Sequence, residues 1–130
     1  MTTEVCEVEP EEVDYVRAVL DQVGGRWSLL MFRALRDGPM RFTELQRATP
    51  GISQRMLTHT LRGLQRDGLV SRESFAESPP RVVYTLTPLG HTFVPVVKQL
   101  VGWALRHQAE LASNQDAWDE AIDSALLDTA

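Results

Sequence analysis

Cysteine is almost absent from this chain of 130 residues, since Cys6 is the only one. A single cysteine excludes an internal disulfide and fits a reducing compartment. The sequence also has no low-complexity tract and no internal repeat. Its longest apolar stretch, residues 89–105, is interrupted by His91, Lys98 and Gln99, which argues against a membrane span. The acidic N-terminus lacks the apolar core of a secretion signal, so we expect a cytoplasmic protein that does not enter a membrane.

Recognisable catalytic and metal-binding patterns are missing as well. The three histidines, His59, His91 and His107, are far apart, and no Cys/His cluster has metal-ligand spacing. His107 and Glu110 share a helical face, but two such residues are a weak sign of a ligand site. We find no nucleophile elbow, phosphate loop or pair of catalytic carboxylates. The sequence therefore predicts neither an enzyme nor a bound metal or cofactor.

The net charge of −5 conceals a strong asymmetry along the chain. Residues 26–82 contain ten arginines and five acidic residues, a net of +5, whereas the rest holds 3 basic and 13 acidic residues, a net of −10. This segregation indicates a basic working surface on an acidic scaffold. Solvated acidic faces on the flanking helices would produce the same pattern, and charge alone leaves both interpretations open.

Apolar periodicity and helix-ending residues predict three helices in the first half of the chain, over 11–23, 26–37 and 41–48. Ser53 is a natural N-cap for a fourth helix that ends near Arg66. Its inward row is Leu57, Leu61 and Leu64. The opposite face is polar throughout: Ser53, Gln54, Arg55, Thr58, His59 and Arg62. Such a face can read base edges in the major groove, where Gln suits adenine and Arg suits guanine or a phosphate; a merely solvated helix face is the alternative.

The second half of the chain predicts two strands and two further helices. Strands over 69–74 and 82–87 flank a projecting loop at 75–81, and Thr87-Pro88 signals the start of a helix over 88–112. That helix is apolar on more than one face, although Pro95 should kink it or delay its regular start. A last amphipathic helix covers 115–127. Because one small domain covers only one apolar face, we expect a homodimer.

The order of helix, turn, polar-faced helix and two-stranded wing is that of the winged helix-turn-helix, so the predicted fold is mostly α with a small β wing and flanking dimerisation helices. Several runs resemble the HxlR-type transcriptional regulators, a branch of the MarR-like class: Gly24-Gly-Arg-Trp27, Arg41-Phe-Thr-Glu-Leu45, Pro50-Gly-Ile-Ser53, Asp67-Gly-Leu69, Pro79-Pro-Arg-Val82 and Tyr84-Thr-Leu-Thr-Pro-Leu-Gly90. The resemblance covers residues 14–106. It implies a homodimer that binds double-stranded DNA, with a recognition helix at 53–66 and a wing at 73–82.

The same resemblance implies that Arg81 reaches the minor groove or its phosphates, and we add Arg41 to the predicted DNA-binding residues. Three segments are expected: an acidic arm at 1–10, the winged domain at 11–112 and an acidic helix at 113–130. Many members carry a cysteine where this chain has Asp14. Here Cys6 lies eight residues earlier, between Glu4 and Glu7, which disfavour its reactive thiolate form.

Two further interpretations stay open at the level of sequence. The aromatic residues Tyr15, Trp27, Phe93 and Trp103 are spaced for core packing, or else for a pocket at the dimer junction that holds a small apolar effector. The winged fold could also dock a protein instead of DNA, and Cys6 could serve as a redox switch. We expect sequence-specific DNA binding at an inverted-repeat operator as the main function.

Overall fold

The computed structural model describes residues 8–128 and consists of six helices and three short strands in that range. The helices are α1 (Pro10–Val23), α2 (Arg26–Leu35), α3 (Phe42–Ala48), α4 (Gln54–Arg66), α5 (Pro88–Arg106) and α6 (Gln108–Asp128). The strands are β1 (Met40–Arg41), β2 (Val70–Phe75) and β3 (Arg81–Leu86). The predicted class, mostly α with a small β wing, is confirmed. Two compact units are distinguished, one through Val97 and one from Lys98.

The core of the first unit is built around α2 and α4. The predicted inward row of α4, Leu57, Leu61 and Leu64, is fully buried. Each such leucine contributes about 1.5–3 kcal/mol through removal of its side chain from water. Phe32 of α2 is also fully buried. Seven of the ten positions of α2 are apolar, so periodicity alone does not decide which side chain points inward.

The sheet has the order β1-β3-β2, and both pairings are antiparallel. Two-residue β1, which the sequence did not predict, pairs Met40 with Tyr84. The pairing of β2 with β3 runs from Val70 opposite Leu86 to Phe75 opposite Arg81. The projecting loop therefore comprises residues 76–80 and is shorter than predicted, because Phe75 and Arg81 still belong to the ladder.

The end of α4 and the start of α5 meet at β2. Gly68 follows α4 with a φ of +73°, a left-handed conformation that favours glycine. The Thr87 hydroxyl donates to the carbonyl of Gly68 (2.6 Å) and accepts from the amide of Gly90 (3.1 Å), which confirms Thr87 as the N-cap of α5. A side chain at Gly90 would overlap the carbonyl oxygen of Leu69, so this helix approaches the strand as closely as glycine permits.

Helix α5 ends earlier than predicted, at Arg106 and not at 112. Of the two alternative effects predicted for Pro95, a delayed start is absent, because the helix begins at Pro88. The break falls at His107, where both the backbone amide and ring Nδ1 lie near the carbonyl oxygen of Trp103, at 3.1 and 2.8 Å. No glycine or proline marks this position, so the sequence offered no stop signal there. Helix α6 accordingly begins at Gln108, earlier than the predicted 115.

Helices α1 and α5, like α6, leave large apolar side chains in solvent. Of the residues of α1, only Val23 is buried, whereas Val16, Val19 and Leu20 are exposed. In α5, Val96 and Leu100 are about half exposed, at 51% and 49%. Val97 between them is buried in the core of the first unit.

Candidate nucleic-acid interface

The helix-turn-helix consists of α3, residues 49–53 and α4. Within the turn, Gly51 has a φ of +89° and Ile52 is buried, so the turn is anchored to the core. The amide of Ile52 donates to the carbonyl of Thr49 at 3.2 Å. This tight connection fixes the direction in which α4 leaves the core.

Ser53 begins α4 as predicted. Its hydroxyl oxygen accepts a hydrogen bond from the amide of Met56 at 3.0 Å, which satisfies one of the free amides of the first helical turn. Gln54 and Arg55 follow with exposed side chains. The hydroxyl of Thr58 donates to the carbonyl of Gln54 at 2.9 Å, and this side chain is half-buried. The first turn of α4 is therefore ordered at its base and polar at its surface.

Five of the predicted DNA-binding residues line one continuous surface. A hollow of about 480 Å³ is lined by Gln54, Arg55, Thr58, His59 and Arg62. Beside it, a groove of about 600 Å³ runs between α4 and the sheet, and its lining includes Gln54, Thr58 and Arg62 again. We call this surface, the exposed side of α4 with the adjoining groove, the α4 face.

Sequence reasoning missed two residues of the α4 face, Gln65 and Arg72, which line the groove. Arg72 lies on β2 opposite Tyr84 of β3. Alternation along β2 could have predicted the position of Arg72, because residues two apart in a strand share a face and Val70, two residues earlier, is buried. Arg72 brings a second cationic side chain to a groove that already contains Arg62.

The α4 face carries positive charge without local neutralisation. Helix α4 contains Arg55, Arg62 and Arg66 and no acidic residue. Among residues 8–128, carboxylates lie within 4.0 Å of only three arginines, Arg17, Arg36 and Arg81. The three arginines of α4 and Arg72 are thus unpaired in the described chain. Guanidinium groups in this state are suited to phosphate oxygens and to the acceptor edge of guanine.

Arg81 differs from the other predicted DNA-binding arginines. Its Nη2 lies 3.1 Å from Oε1 of Glu77, and its Cζ lies 4.2 Å from the centre of the Phe75 ring. Its Nε is buried and has no hydrogen-bond partner in the described structure. The side chain is 32% exposed, so the guanidinium is held against the wing while part of it faces solvent.

Arg41 sits at the junction of β1 and α3. It pairs with Val83 of β3, and its backbone amide donates to Oε1 of Glu44 at 2.9 Å. Its side chain is exposed. The predicted DNA-binding residues thus fall into four groups: five on the α4 face, Ser53 at the N-cap of α4, Arg81 on the wing, and Arg41 before α3.

The four aromatic residues predicted as an effector pocket have separate surroundings. Tyr15 is 73% exposed on α1, and Trp27 is half-buried with the Cζ of Arg26 4.6 Å from its ring centre. Phe93 packs edge-on against Phe32, with ring centroids 4.9 Å apart. Trp103, in the second unit, stacks on His107, also at 4.9 Å. Core packing accounts for Phe93, and the pocket stays a prediction.

Comparison with known proteins identifies the family to which this chain belongs. The family described as HxlR-like helix-turn-helix matches residues 22–111, which include the core, the α4 face and the wing. This chain belongs to the HxlR family. It is a DNA-binding transcriptional regulator of the helix-turn-helix type, as the resemblance in its sequence predicted.

Known transcriptional regulators are similar to this chain in sequence and in structure. The uncharacterized HTH-type transcriptional regulator YybR of Bacillus subtilis is 43% identical over 112 residues, which cover 86% of this chain and 84% of YybR. The structure of the redox regulator HypR in its reduced form superposes with a TM-score of 0.71 at 43% identity, over 75% of this chain and 97% of HypR. The regulator YtfH of Salmonella typhimurium gives a TM-score of 0.72 at 38% identity, over 78% of this chain and 90% of YtfH.

Its HxlR relatives are regulators, which agrees with the expected absence of catalysis. Residues 8–128 contain no group of three or more His, Cys, Asp and Glu side chains that could hold a metal ion. No helix within that range is long and apolar enough to cross a membrane. Cys6, the candidate redox residue, lies outside the described residues.

Proposed function

We propose that this HxlR regulator binds an inverted-repeat operator as a homodimer, with α4 of each protomer in the major groove. The observation that carries this proposal is the acid-free α4 face, whose arginines have no carboxylate partner in the described chain. Gln54 and Arg55 lie at the entering end of the helix, where side chains meet base edges. Thr58, His59 and Arg62 continue one to two turns along the groove wall.

The wing supplies contacts of a different kind in this proposal. Arg81 lies at the first residue of β3, next to the projecting loop, where phosphates and the narrow minor groove are the nearest partners. Arg41, before α3, and Arg72, on the sheet side of the groove, add phosphate contacts. Phosphate contacts position the protein without reading sequence, so base preference is assigned to the start of α4.

Homodimer formation is supported by the apolar side chains that α1 and α5 leave in solvent, among them Leu20 and Leu100. Burial of such side chains against a second copy would remove the unfavourable exposure. We retain residues 11–112 as the winged domain and 113–130 as a brace for the dimer. A small apolar effector near Tyr15, Trp27, Phe93 and Trp103 is part of the same proposal, as is action in the cytoplasm, where a bacterial chromosome lies.

Salt titration of DNA binding can test whether α4 reads bases while the wing binds phosphates. The probes are a duplex that wild-type protein selects from a random library and a scrambled duplex of the same composition. Gln54→Ala should cost about 1–3 kcal/mol on the selected duplex and relax preference at one position of each half-site. Arg81→Ala should weaken both duplexes by similar factors. It should also reduce the salt slope by about 0.9 for each phosphate that is no longer neutralised, which is about 2 for the dimer.

Two outcomes would contradict this assignment. If Arg81→Ala changes base preference and leaves the salt slope intact, the wing reads sequence. If neither substitution affects binding, the α4 face does not touch DNA. The proposed function would then be that of a protein-interaction adaptor. An adaptor keeps its partner when the outward arginines are neutralised.

Thiol-based regulation is the second candidate, since the relative HypR is described as a redox regulator. The chain has only Cys6, so any disulfide would join two chains or involve a small thiol. Oxidant treatment should then release the selected duplex, and Cys6→Ser should abolish that release. Equal release by wild type and Cys6→Ser would exclude this role.

A further inference from the structure

Three residues form a compact cluster at the tip of the wing: Phe75, Glu77 and Arg81, here called the wing clamp. Phe75 and Arg81 are directly opposite each other in the β2–β3 ladder, and Glu77 lies in the loop between them. The guanidinium stacks on the ring at 4.2 Å and meets the carboxylate at 3.1 Å. The guanidinium is therefore held on one flat face by Phe75 and at one edge by Glu77.

The wing clamp engages part of the Arg81 guanidinium. A guanidinium has five N–H donors and no acceptor. Glu77 engages Nη2, while Nε is buried without a partner. Carboxylate and phosphate oxygens bind the same edges of a guanidinium with similar geometry. Glu77 consequently engages an edge of the guanidinium that could otherwise bind a phosphate oxygen of DNA.

The other arginines next to the groove are in a different state. Arg55, Arg62 and Arg72 have no carboxylate within 4.0 Å in the described chain. The other acidic residue of the wing, Glu73 on β2, pairs with Val83 in the ladder and forms no ion pair with a described residue. Of the cations near the predicted interface, Arg81 is thus the one that carries its own anion.

We propose that Glu77 is an intramolecular competitor of DNA phosphate for Arg81. In the free protein it holds the guanidinium on Phe75, and it weakens DNA binding because its carboxylate must give way when a phosphate arrives. This inference rests on the proposed function, since it requires the wing to contact DNA. Phosphate carries no base identity, so the competition lowers affinity for every duplex by a similar factor.

The test is the affinity of Glu77→Gln for the selected and the scrambled duplex. Glutamine keeps the shape of the side chain and can still accept from the guanidinium, but it removes the negative charge. A half-exposed ion pair of this kind is worth about a threefold change in affinity per wing, or about tenfold per dimer. Both duplexes should gain alike. Glu73→Gln is the matched control, because it makes the same charge change on β2 outside the wing clamp, and it should give a clearly smaller gain.

A double variant separates competition from a general change of charge. In an Arg81→Ala background the gain from Glu77→Gln should disappear, because there is no guanidinium left to release. A gain that persists in that background, or an equal gain from Glu73→Gln, would overturn the inference. A loss of affinity in Glu77→Gln would also overturn it, since Glu77 would then be needed to position Arg81. If the wild-type protein binds no duplex, the proposed function is wrong. If the wild-type protein binds and Glu77→Gln binds with the same affinity, only the inference about Glu77 is wrong.

Discussion

The N-cap of α4 allows the stability of this helix to be separated from its contact with DNA. Ser53→Ala removes the hydrogen bond from the Met56 amide, the one side-chain bond that caps the start of this helix. Loss of a serine cap costs about 1 kcal/mol of unfolding free energy, which lowers the melting temperature by about 3–6 °C for a domain of this size. Thermal unfolding followed by circular dichroism at fixed protein concentration measures this change.

Ser53→Asp should keep the stability of the wild-type protein but bind DNA less tightly. Aspartate is as good a cap as serine and its charge favours a helix N-terminus, so stability should stay within about 0.5 kcal/mol of wild type. If this end of α4 enters the groove, the new charge would lie near phosphates. At about 6 Å in water-like dielectric the repulsion is about 0.7 kcal/mol per helix, hence about tenfold in affinity for a dimer. Ser53→Asn, which keeps a capping side chain and adds no charge, is the control and should bind more tightly than Ser53→Asp.

Two results would refute this reasoning. If Ser53→Asp binds the selected duplex as tightly as wild type, the start of α4 does not face DNA. If Ser53→Ala is as stable as wild type, the Ser53 hydroxyl does not stabilise the helix as a cap.

Three further predictions follow from other parts of the structure. Leu100→Glu, at a half-exposed site, should yield folded monomer in sedimentation at micromolar protein. Val97→Ala, in the core, should lose about 1–3 kcal/mol of unfolding free energy and stay dimeric. If Leu100→Glu remains a dimer, Leu100 does not lie in the dimer interface. Gly90→Ala should destabilise the fold markedly in urea unfolding, because its Cβ would overlap the Leu69 carbonyl, and a neutral result would contradict that close approach. Footprinting should reveal an inverted repeat with half-sites about 10 bp, or a multiple, apart; protection of one asymmetric element would exclude two-fold binding.

The parts of the fold that depend on strong local signals could be predicted from sequence. The leucine row of α4, the Ser53 cap and the Thr87 cap all followed from spacing and residue type, and the structure has them. Two-residue β1 was missed because its pairing with β3 is long-range and leaves no periodicity. The end of α5 at Arg106 was missed because no helix-breaking residue stands there.

The candidate site could also be predicted from the sequence only in part. Residue types placed Gln54, Arg55 and Arg62 on one polar face, and these side chains do line one surface. The state of each arginine could not be predicted, since it depends on which carboxylates lie nearby in space. Arg81 and Arg72 both lie on strands of the wing, yet Arg81 is paired with Glu77 and Arg72 is unpaired in the described chain. The sequence likewise does not decide whether Val97 belongs to the core or to a dimer surface, because a helix that is apolar on more than one face does not reveal which face meets its own core.

The Thr87 hydroxyl has a mechanical consequence. With one oxygen it joins the turn after α4, through Gly68, to the first turn of α5, through Gly90. The amide of Thr87 adds a bond to the carbonyl of Leu69 at 3.0 Å. These three hydrogen bonds tie the end of α4 to the beginning of α5. A change in the direction of α5 at its start would therefore have to break them or be accompanied by a shift of the end of α4.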